Sequence, residues 1–444
     1  MSEKWARAML SAYRFAGAAA YPLVGGYVGW RASRGKEERG RRGERYGFAS
    51  RPRPAGPLVW VHAASVGETI AVVPLIERIL GFGINVVLTT GTVTSARVAE
   101  ERLGERIIHQ YVPLDLKPAV SHFLNHWQPD LAIIAESEIW PMTILELGAR
   151  RVPQVLVNGR LSDRSFASWK KRAFIAEALF ENLAHVVAQS EVDGERFRAL
   201  GARPVTVSGN LKVDTDPPPA DERALAELKA QIGDRKTWAA VSTHDGEEQV
   251  AAEVHQILKP RHKGLLTIIV PRHPDRADAV AEAFIADGLD VVRRGQGEAV
   301  TDRTDILLGD TIGEMGLYLR LTEIAFVGRS LTSEGGQNPL EPAMLETAVL
   351  AGRNVQNFRD TYQRLIDGGG ARLVRDRDML AGAVNFLLKN EQAREEMIAA
   401  GAATVDDMRG ALSATLKALE PYIHPLIVKS RLKETNGTGG HGSV

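Results

Sequence analysis

The sequence lacks cysteine entirely across its 444 residues. This absence excludes disulfide bonds, thiolate catalysis and cysteine-bound zinc, and it is consistent with a reducing compartment. Net charge is absent as well, because 55 lysine and arginine residues balance 55 aspartate and glutamate residues. The composition therefore gives no indication of a nucleic-acid-binding protein. With 44% hydrophobic and 25% charged residues the chain has a globular composition, and its length predicts two domains.

Two phosphate-binding motifs are also missing. No apolar run that fits a strand is followed by G-x-G-x-x-G at the start of a helix, and there is no Walker-type loop. The first absence argues against a dehydrogenase, which would otherwise suit a protein of two α/β domains.

The amino-terminal region lacks a clean hydrophobic run. Residues 15–30 carry no charge but are interrupted by Pro22, Gly25 and Gly26, so they fall short of the roughly 20 apolar residues of a spanning helix. Residues 31–53 then hold nine arginine or lysine residues against three glutamates. Aromatic and apolar residues before a basic cluster predict that residues 1–50 associate with an anionic membrane surface, with the rest of the chain cytoplasmic. The alternative is a helix packed on the protein itself.

Short apolar runs alternate with amphipathic stretches, which predicts βαβ units and parallel sheets. We expect an α/β protein with two doubly wound, Rossmann-like domains and a cleft between them. The triple proline at 217–219 predicts a stiff linker, and we expect Pro421 to end the last helix. The predicted divisions are a first domain at 51–213, a linker at 214–220, a second domain at 221–425 and a disordered tail at 426–444. The predicted strands are 58–61, 85–89, 107–111, 131–135, 154–157, 185–188, 205–207, 237–241, 265–270, 290–292, 305–308, 323–327 and 348–350, with a further one after the glycines at 368–370.

Charged residues follow several strands of the first domain. Glu68 stands where the first strand turns into the first helix, at the edge where open α/β sheets bind ligands. It fits a general base, or equally a carboxylate stabilised by the helix dipole. Glu136 and Glu138 follow the strand 131–135, and Lys212 follows the last strand. These three residues fit a charged site. Alternatively, Glu136 and Glu138 belong to an acid-rich helix amino terminus, and Lys212 is a solvated surface lysine. No histidine accompanies these carboxylates at a spacing typical of metal ligands, so the sequence supports a metal site only weakly.

The second domain has three anion-binding features at predicted strand ends. Arg272 is held between prolines, the segment 309–314 opens a helix, and a glycine- and hydroxyl-rich loop at 328–341 precedes another. Helix amino termini and glycine-rich loops present backbone N–H groups to phosphate, and Glu341 can accept hydrogen bonds from ribose hydroxyls. Three such features on one edge predict a nucleotide site.

Seven motifs, taken in order, resemble the 3-deoxy-D-manno-octulosonic acid (Kdo) transferases of lipopolysaccharide synthesis. They are SVGE at 65–68, ESEIWP at 136–141, NGRLS at 158–162, STHDGE at 242–247, PRHP at 271–274, GDTIGE at 309–314 and GGQNPLE at 335–341. The resemblance runs from RGERYG at 42–47 to about residue 420, so it covers nearly the whole chain.

The resemblance implies a GT-B fold that binds the acceptor in the first domain and CMP-Kdo in the second. It makes Glu68 the general base on the acceptor hydroxyl, with Glu136 and Lys212 stabilising the transition state. The residues it implies for CMP binding are Pro271, Arg272, Ile312, Gly313, Glu314, Asn338, Pro339, Leu340 and Glu341. It further implies inversion at the anomeric carbon, no metal or other cofactor, a lipid A precursor as acceptor, and a location on the cytoplasmic face of the cell inner membrane.

The sequence departs from the family at two positions beside the CMP loop. The family usually has glycine where Arg329 stands and histidine where Gln337 stands. Two other functions remain open at this stage. One is a GT-B transferase or epimerase that uses a UDP- or GDP-sugar, and the other is a non-enzymatic membrane-peripheral protein.

Overall fold

The computed structural model describes residues 24–437, which form two compact units. Among the described residues, the first unit contains 24–215 together with 409–437, and the second unit is Asp216–Met408. The division between Thr215 and Asp216 lies inside the predicted linker. Residues 1–23, which include most of the uncharged amino-terminal run, lie outside the described residues.

The first unit is built on a seven-stranded parallel sheet with the order β3-β2-β1-β4-β5-β6-β7. Its strands are β1 Leu58–Ala63, β2 Asn85–Thr90, β3 Ile108–Tyr111, β4 Leu131–Ala135, β5 Gln154–Gly159, β6 His185–Ala188 and β7 Val205–Val207. Its helices up to the linker are α1 Val24–Ser33, α2 Val66–Gly81, α3 Val93–Leu103, α4 Lys117–Trp127, α5 Pro141–Ala149, α6 Asp163–Lys170, α7 Ala173–Phe180 and α8 Glu191–Ala199.

Helices cover both faces of this sheet, which explains why its central strands are apolar without alternation. All six residues of β1 are buried. Val59, Val61 and Ala63 pack into one hydrophobic core, whereas Leu58 and Trp60 pack into another. Because successive side chains of a strand point to opposite faces, these two cores lie on opposite sides of the sheet.

The second unit repeats this architecture with the order β10-β11-β9-β8-β12-β13-β14. Its strands, all parallel, are β8 Thr237–Thr243, β9 Leu266–Pro271, β10 Val291–Arg293, β11 Ile306–Leu308, β12 Ile324–Val327, β13 Ala348–Ala351 and β14 Ala371–Leu373. Its helices are α9 Glu222–Ile232, α10 Glu247–Leu258, α11 Ala277–Ala286, α12 Met315–Leu319, α13 Leu340–Met344, α14 Arg359–Asp367, α15 Arg377–Lys389 and α16 Glu391–Asp407.

The strand order reverses beside the first strand of each sheet. In the first unit the chain proceeds from β1 to β2 on one side and later returns to β4 on the other. In the second unit β8 is flanked in the same way by β9 and β12. Ligands of open α/β sheets bind beyond the carboxyl ends of the strands at such switch points.

The last helix corrects two predictions. Helix α17, Ala411–Gly437, runs through Pro421 and belongs to the first unit. The predictions that Pro421 ends the helix, that the second domain extends to 425 and that disorder begins at 426 are therefore wrong for the described residues. The helix is held by the buried side chains of Leu419, Ile423 and Leu426 in the core of the first unit. This packing compensates for the backbone hydrogen bond that a proline removes.

Part of the basic amino-terminal segment also folds against the first unit. Arg45, in the 3-10 helix Arg39–Tyr46, is buried, pairs with Glu37 and donates to the carbonyl oxygen of Gly91 at 2.7 Å. Arg41 pairs with Glu44 and donates to the carbonyl oxygen of His109. For these side chains the alternative of packing on the protein itself is the one observed. None of the helices within residues 24–437 combines the length and apolar character needed to cross a membrane.

Candidate active site

Glu68 lies in the first turn of α2, directly beyond the carboxyl end of β1. Ser65 is the N-cap residue, and its hydroxyl accepts a hydrogen bond from the Glu68 N–H. The Glu68 carboxylate accepts in return from the Ala64 N–H at 2.8 Å and from the Ser65 hydroxyl at 2.8 Å. This reciprocal arrangement is a variant of the capping box, in which the carboxylate bonds the N–H of Ala64 instead of that of the N-cap residue Ser65. The carboxylate is therefore held in one orientation, and only 8% of the residue's surface is exposed to solvent.

Burial raises the pKa of Glu68, and repulsion from the neighbouring carboxylates of Glu136 and Glu138 adds to the effect. The hydrogen bonds from Ser65 and Ala64 oppose this shift without cancelling it. A carboxylate with a raised pKa is a stronger base than an ordinary glutamate, which is the property that proton abstraction from a hydroxyl requires.

Glu136 and Lys212 form an ion pair beside Glu68. Glu136 follows β4, the strand next to β1, and the Lys212 ammonium lies 2.6 Å from its Oε1 atom. Lys212 also approaches the start of α2, because a Cβ atom on Gly67 would lie 3.8 Å from its Nζ atom. The three residues that the sequence predicted as catalytic are thus brought together at the switch point of the first sheet.

Two buried amides hold the Lys212 turn in place. The Asn158 side chain, at the end of β5, accepts from the Leu211 N–H at 3.0 Å. The Asn210 side chain accepts from the Lys212 N–H at 3.1 Å. Lys212 therefore belongs to the 3-10 helix Leu211–Asp214, whose start is fixed by these two hydrogen bonds.

A histidine that the sequence did not indicate also faces this site. His62, buried in β1, contacts the Thr89 side chain through Nδ1, and its Nε2 atom lies 3.9 Å from the carboxylate of Glu138. Glu138 in turn accepts from the indole N–H of Trp140 at 2.7 Å. His62 lies beyond the predicted strand 58–61 and was assigned no role from the sequence, and its contact with Glu138 follows from the pairing of β1 with β4.

Left-handed backbone conformations occur at or just beyond the carboxyl ends of strands in both units. Glu136 and Asn158 in the first unit, and Ser242 and Arg329 in the second, adopt φ angles of 53–54°. This left-handed region is unfavourable for residues other than glycine, and non-glycine residues in it concentrate at functional sites. Glycine, which the resemblance implies at position 329, would adopt this φ without strain.

In the second unit a basic cluster lies beyond β8, β9 and β12. Arg272 is exposed immediately after Pro271, the last residue of β9, and its N–H donates to the Thr243 carbonyl oxygen. The rings of His244 and His273 are 5.6 Å apart in an edge-on arrangement. Burial lowers the pKa of His244, and Arg329 lowers it further. The sequence contained both histidines within its quoted motifs but assigned them no role.

The loop between β12 and α13 contacts this cluster. The Gln337 side chain lies 3.1 Å from the Nε2 atom of His244. The Asn338 side chain accepts from the Leu340 N–H and donates to the Glu341 carboxylate at 3.4 Å. Pro339 caps the short helix α13.

The turn at 312–314 follows β11, which neighbours β9. Ile312 is 71% exposed, an unusual state for a large apolar side chain, and Gly313 has a φ of 89°. The Glu314 carboxylate is engaged by Arg294 and by the Thr311 hydroxyl. Although burial disfavours its charge, these hydrogen bonds hold the pKa of Glu314 below its usual range. Its carboxylate therefore organises the turn, while Ile312 is presented outward.

The predicted donor residues thus lie at or beyond the carboxyl ends of β11, β9 and β12, of which β11 and β9 are adjacent and β12 is separated from β9 by β8. Across residues 24–437, no three histidine, aspartate or glutamate side chains are grouped as a metal ligand set. That the reaction needs no metal stays a prediction.

Comparison with known proteins identifies the family. A family model described as 3-deoxy-D-manno-octulosonic-acid transferase (kdotransferase) matches residues 40–215. The 3-deoxy-D-manno-octulosonic acid transferase of Haemophilus influenzae is 34% identical over 411 residues, which cover 90% of this chain and 96% of that protein. The enzyme of the same name from Bordetella pertussis is 35% identical over 390 residues, covering 84% of this chain and 90% of its own.

A solved structure of similar fold is a glycosyltransferase from Rickettsia africae. It has a TM-score of 0.59 at 13% identity and covers 83% of this chain and 99% of its own. At that identity the likeness concerns the fold alone, and it agrees with the predicted GT-B architecture. Because the sequence relatives match over nearly their whole length, the chain belongs to the family of 3-deoxy-D-manno-octulosonic acid transferases and is a glycosyltransferase.

Proposed function

We propose that this enzyme transfers Kdo from CMP-Kdo to a sugar hydroxyl of a lipid A precursor, with inversion at the anomeric carbon. The observation that carries the proposal is the arrangement of Glu68, Glu136 and Lys212 at the switch point of the first sheet. A buried carboxylate of raised pKa beside a fixed ammonium suits deprotonation of a neutral hydroxyl.

In the proposed step Glu68 accepts the proton of the acceptor hydroxyl. The hydroxyl oxygen forms a bond to the anomeric carbon of Kdo, and the bond from that carbon to the CMP phosphate oxygen breaks with its electron pair. Attack opposite the departing phosphate inverts the configuration. The capping box supports this role, because it fixes the base without supplying a cation that would weaken it.

The Glu136–Lys212 ion pair has two roles in the proposed reaction. Lys212 offsets the charge of Glu136, which otherwise would oppose ionisation of Glu68 still more strongly. The ammonium also supplies positive charge where negative charge develops in the transition state.

The CMP phosphate is proposed to bind the basic cluster of the second unit. Arg272 and Arg329 supply permanent charge there, and exposed Ile312 offers an apolar surface to the nucleoside. Asn338 and Glu341 are proposed to contact the ribose. These fixed cations would balance the leaving phosphate, so we expect the transfer rate to be unchanged by a chelator of divalent cations.

Membrane association is part of the same proposal, since the acceptor is a lipid. Trp30 is 50% exposed, with the guanidinium carbon of exposed Arg34 4.4 Å from its ring centre, and Lys36, Arg39 and Arg42 are exposed farther along the same segment. An aromatic side chain among cations is suited to the interface of an anionic bilayer. We propose that this surface lies on the cytoplasmic face of the cell inner membrane.

The decisive experiment joins binding and product analysis. Thermal-shift titration with CMP, UMP and GMP should show stabilisation by CMP. Mass spectrometry after incubation with CMP-Kdo and a tetra-acylated lipid A precursor should show the mass of added Kdo. Stabilisation by UMP or GMP alone would instead support a UDP- or GDP-sugar enzyme, and absence of a Kdo adduct would refute the proposed acceptor.

A further inference from the structure

Glu247 is the first residue of α10, and only 1% of it is exposed. Its carboxylate accepts hydrogen bonds from four backbone N–H groups. Oε2 accepts from His244 at 2.9 Å and from Arg329 at 2.6 Å. Oε1 accepts from Ser330 and from Leu331, each at 2.9 Å. Burial of a carboxylate is costly unless its oxygens are fully bonded, and these four amides meet that requirement.

Three of these amides are consecutive and form the beginning of the loop at 328–341. Consecutive N–H groups that converge on one point constitute an anion-binding nest. Here the anion in the nest is a side chain of the protein. The amides of residues 329–331 are consequently turned inward and are not available to an incoming phosphate.

Glycine at position 328 permits this close approach. A Cβ atom there would lie 2.5 Å from the Ser242 carbonyl oxygen and 2.8 Å from Glu247 Oε2. The far end of the loop is fastened to its beginning, because the Gly336 N–H donates to the Arg329 carbonyl oxygen at 2.7 Å and the Gln337 N–H to that of Gly328. Holding residues 329–331 therefore also holds the segment that leads to Asn338.

We propose that Glu247 is a positioning residue for the nucleotide-sugar donor, which acts by filling this nest and so orienting Arg329 and His244. Both side chains belong to residues whose backbone N–H groups Glu247 binds. The donor phosphate is then bound by these side chains and Arg272, whereas the amides at 329–331 serve Glu247. The inference rests on the proposed donor site and adds the residue that shapes it.

The principal variant is Glu247→Gln, which preserves the side-chain volume but places an amide NH2 group against backbone N–H groups. We expect the KM for CMP-Kdo and the Kd for CMP to rise roughly 10- to 100-fold, because misplaced Arg329 and His244 side chains would weaken their hydrogen bonds to the charged phosphate, and such bonds contribute to affinity on that scale. The kcat at saturating donor should change much less. The matched control is Glu248→Gln, since Glu248 is equally buried on the same helix but bonds to Arg276 and Thr243 instead of the loop.

Two further measurements distinguish positioning from a general loss of structure. Hydrogen–deuterium exchange without ligand should accelerate at residues 329–331 in Glu247→Gln and stay at the wild-type rate in Glu248→Gln. In Glu247→Ala the missing atoms correspond to acetate, so added acetate should partly restore CMP affinity, with no such effect on Glu248→Ala. If Glu247→Gln does not fold, Glu247→Asp, which keeps the charge one methylene farther from the nest, replaces it in both assays.

Unchanged exchange at 329–331 together with an unchanged donor KM would overturn the proposal. Failure of the wild-type protein to bind CMP is a different result. It would refute the proposed donor, while the exchange experiment, which needs no ligand, would still decide whether Glu247 holds the loop.

Discussion

Glu68 combines two properties that the sequence presented as alternatives, a stabilising position at a helix terminus and suitability as a base. Its carboxylate completes the capping box of α2, and the same carboxylate carries a raised pKa beside Glu136. The cap fixes the orientation of the side chain, and burial supplies its basicity. A residue can therefore stabilise a helix terminus and still be suited to act as a base.

The first prediction concerns Glu68→Gln. We expect a loss of transfer of roughly 10²- to 10⁴-fold, the usual contribution of a general base. CMP should still bind, because its proposed site lies in the other unit. Single-turnover assays with CMP-Kdo and isothermal titration with CMP measure the two effects. Turnover at the wild-type rate would remove Glu68 as the base.

The same substitution should not destabilise the fold at neutral pH. The pKa of Glu68 is raised above its usual 4.5, so the folded state binds the proton more tightly than the unfolded state does. The stabilisation linked to this group is complete below about pH 4.5 and is lost as the pH rises through the raised pKa. A neutral glutamine that accepts from Ala64 and donates to Ser65 avoids that loss. Urea unfolding at pH 8 should give the variant an equal or higher free energy of unfolding.

The second prediction uses Glu136 to test which group titrates. Repulsion from Glu136 contributes to the raised pKa of Glu68, so Glu136→Gln should move the acidic limb of the pH–rate profile to lower pH. The plateau rate should also fall, since the partner of Lys212 is removed. Glu138→Gln is the matched control, and its shift should have the same direction but a smaller size. An acidic limb that does not move would show that another group controls the rate.

At the scale of elements, α17 links distant parts of the first unit. It begins beside Asp214, whose carboxylate accepts from the Gly410 and Leu412 N–H groups. Farther along, the Tyr422 hydroxyl donates to the carbonyl oxygen of Ala184, just before β6, and the Ser430 hydroxyl to that of Gly83, just before β2. The helix thus extends from the Lys212 turn to the amino-terminal edge of the sheet.

The third prediction follows from this packing. Leu419→Ala and Ile423→Ala each remove a buried side chain and should lower the free energy of unfolding by about 2–5 kcal/mol. Val428→Ala, on the same helix but 57% exposed, is the control and should change it by less than about 0.5 kcal/mol. Denaturant titration followed by circular dichroism measures all three. Equal, small effects would mean that the helix does not stabilise the unit.

For the whole molecule, the proposed binding to an anionic membrane depends on where the charges lie and not on the net charge. The chain is neutral overall, yet residues 31–53 have six more basic than acidic residues. Within that segment the buried Arg45 and the half-buried Arg41 are paired with glutamates, whereas the exposed cations include Arg34, Lys36, Arg39 and Arg42. The exposed side chains are those available to an anionic surface.

The fourth prediction is that replacing these four exposed residues by glutamine weakens binding to anionic vesicles. Each cation near such a surface contributes about 1 kcal/mol, so the loss should be large at low salt and smaller at high salt. Co-sedimentation with vesicles of mixed phosphatidylglycerol and phosphatidylethanolamine measures it, with vesicles of neutral lipid as the reference. Transfer to an acceptor dispersed in detergent should be unaffected. Equal vesicle binding by both proteins would assign membrane association to other residues.

Local sequence patterns determined most of the elements. The thirteen strands predicted with bounds are confirmed within two residues at each end, because short apolar runs between turns are typical of buried parallel strands. The family and the GT-B architecture are likewise confirmed. The strand order then follows from neighbouring βαβ units, and it brings strand ends, and with them Glu68 and Glu136, to one edge. The catalytic and CMP-binding roles of the predicted residues stay predictions.

Only the tertiary structure decided the remaining features, because they depend on contacts between residues far apart in the chain. The Glu136–Lys212 pair joins residues 76 positions apart, and the four hydrogen bonds of Glu247 involve residues up to 84 positions away. The continuation of α17 through Pro421 depends on a core built by the other end of the sequence. A sequence pattern reports the preference of a segment for helix or strand, whereas burial, pairing and pKa are set by what the fold places around it.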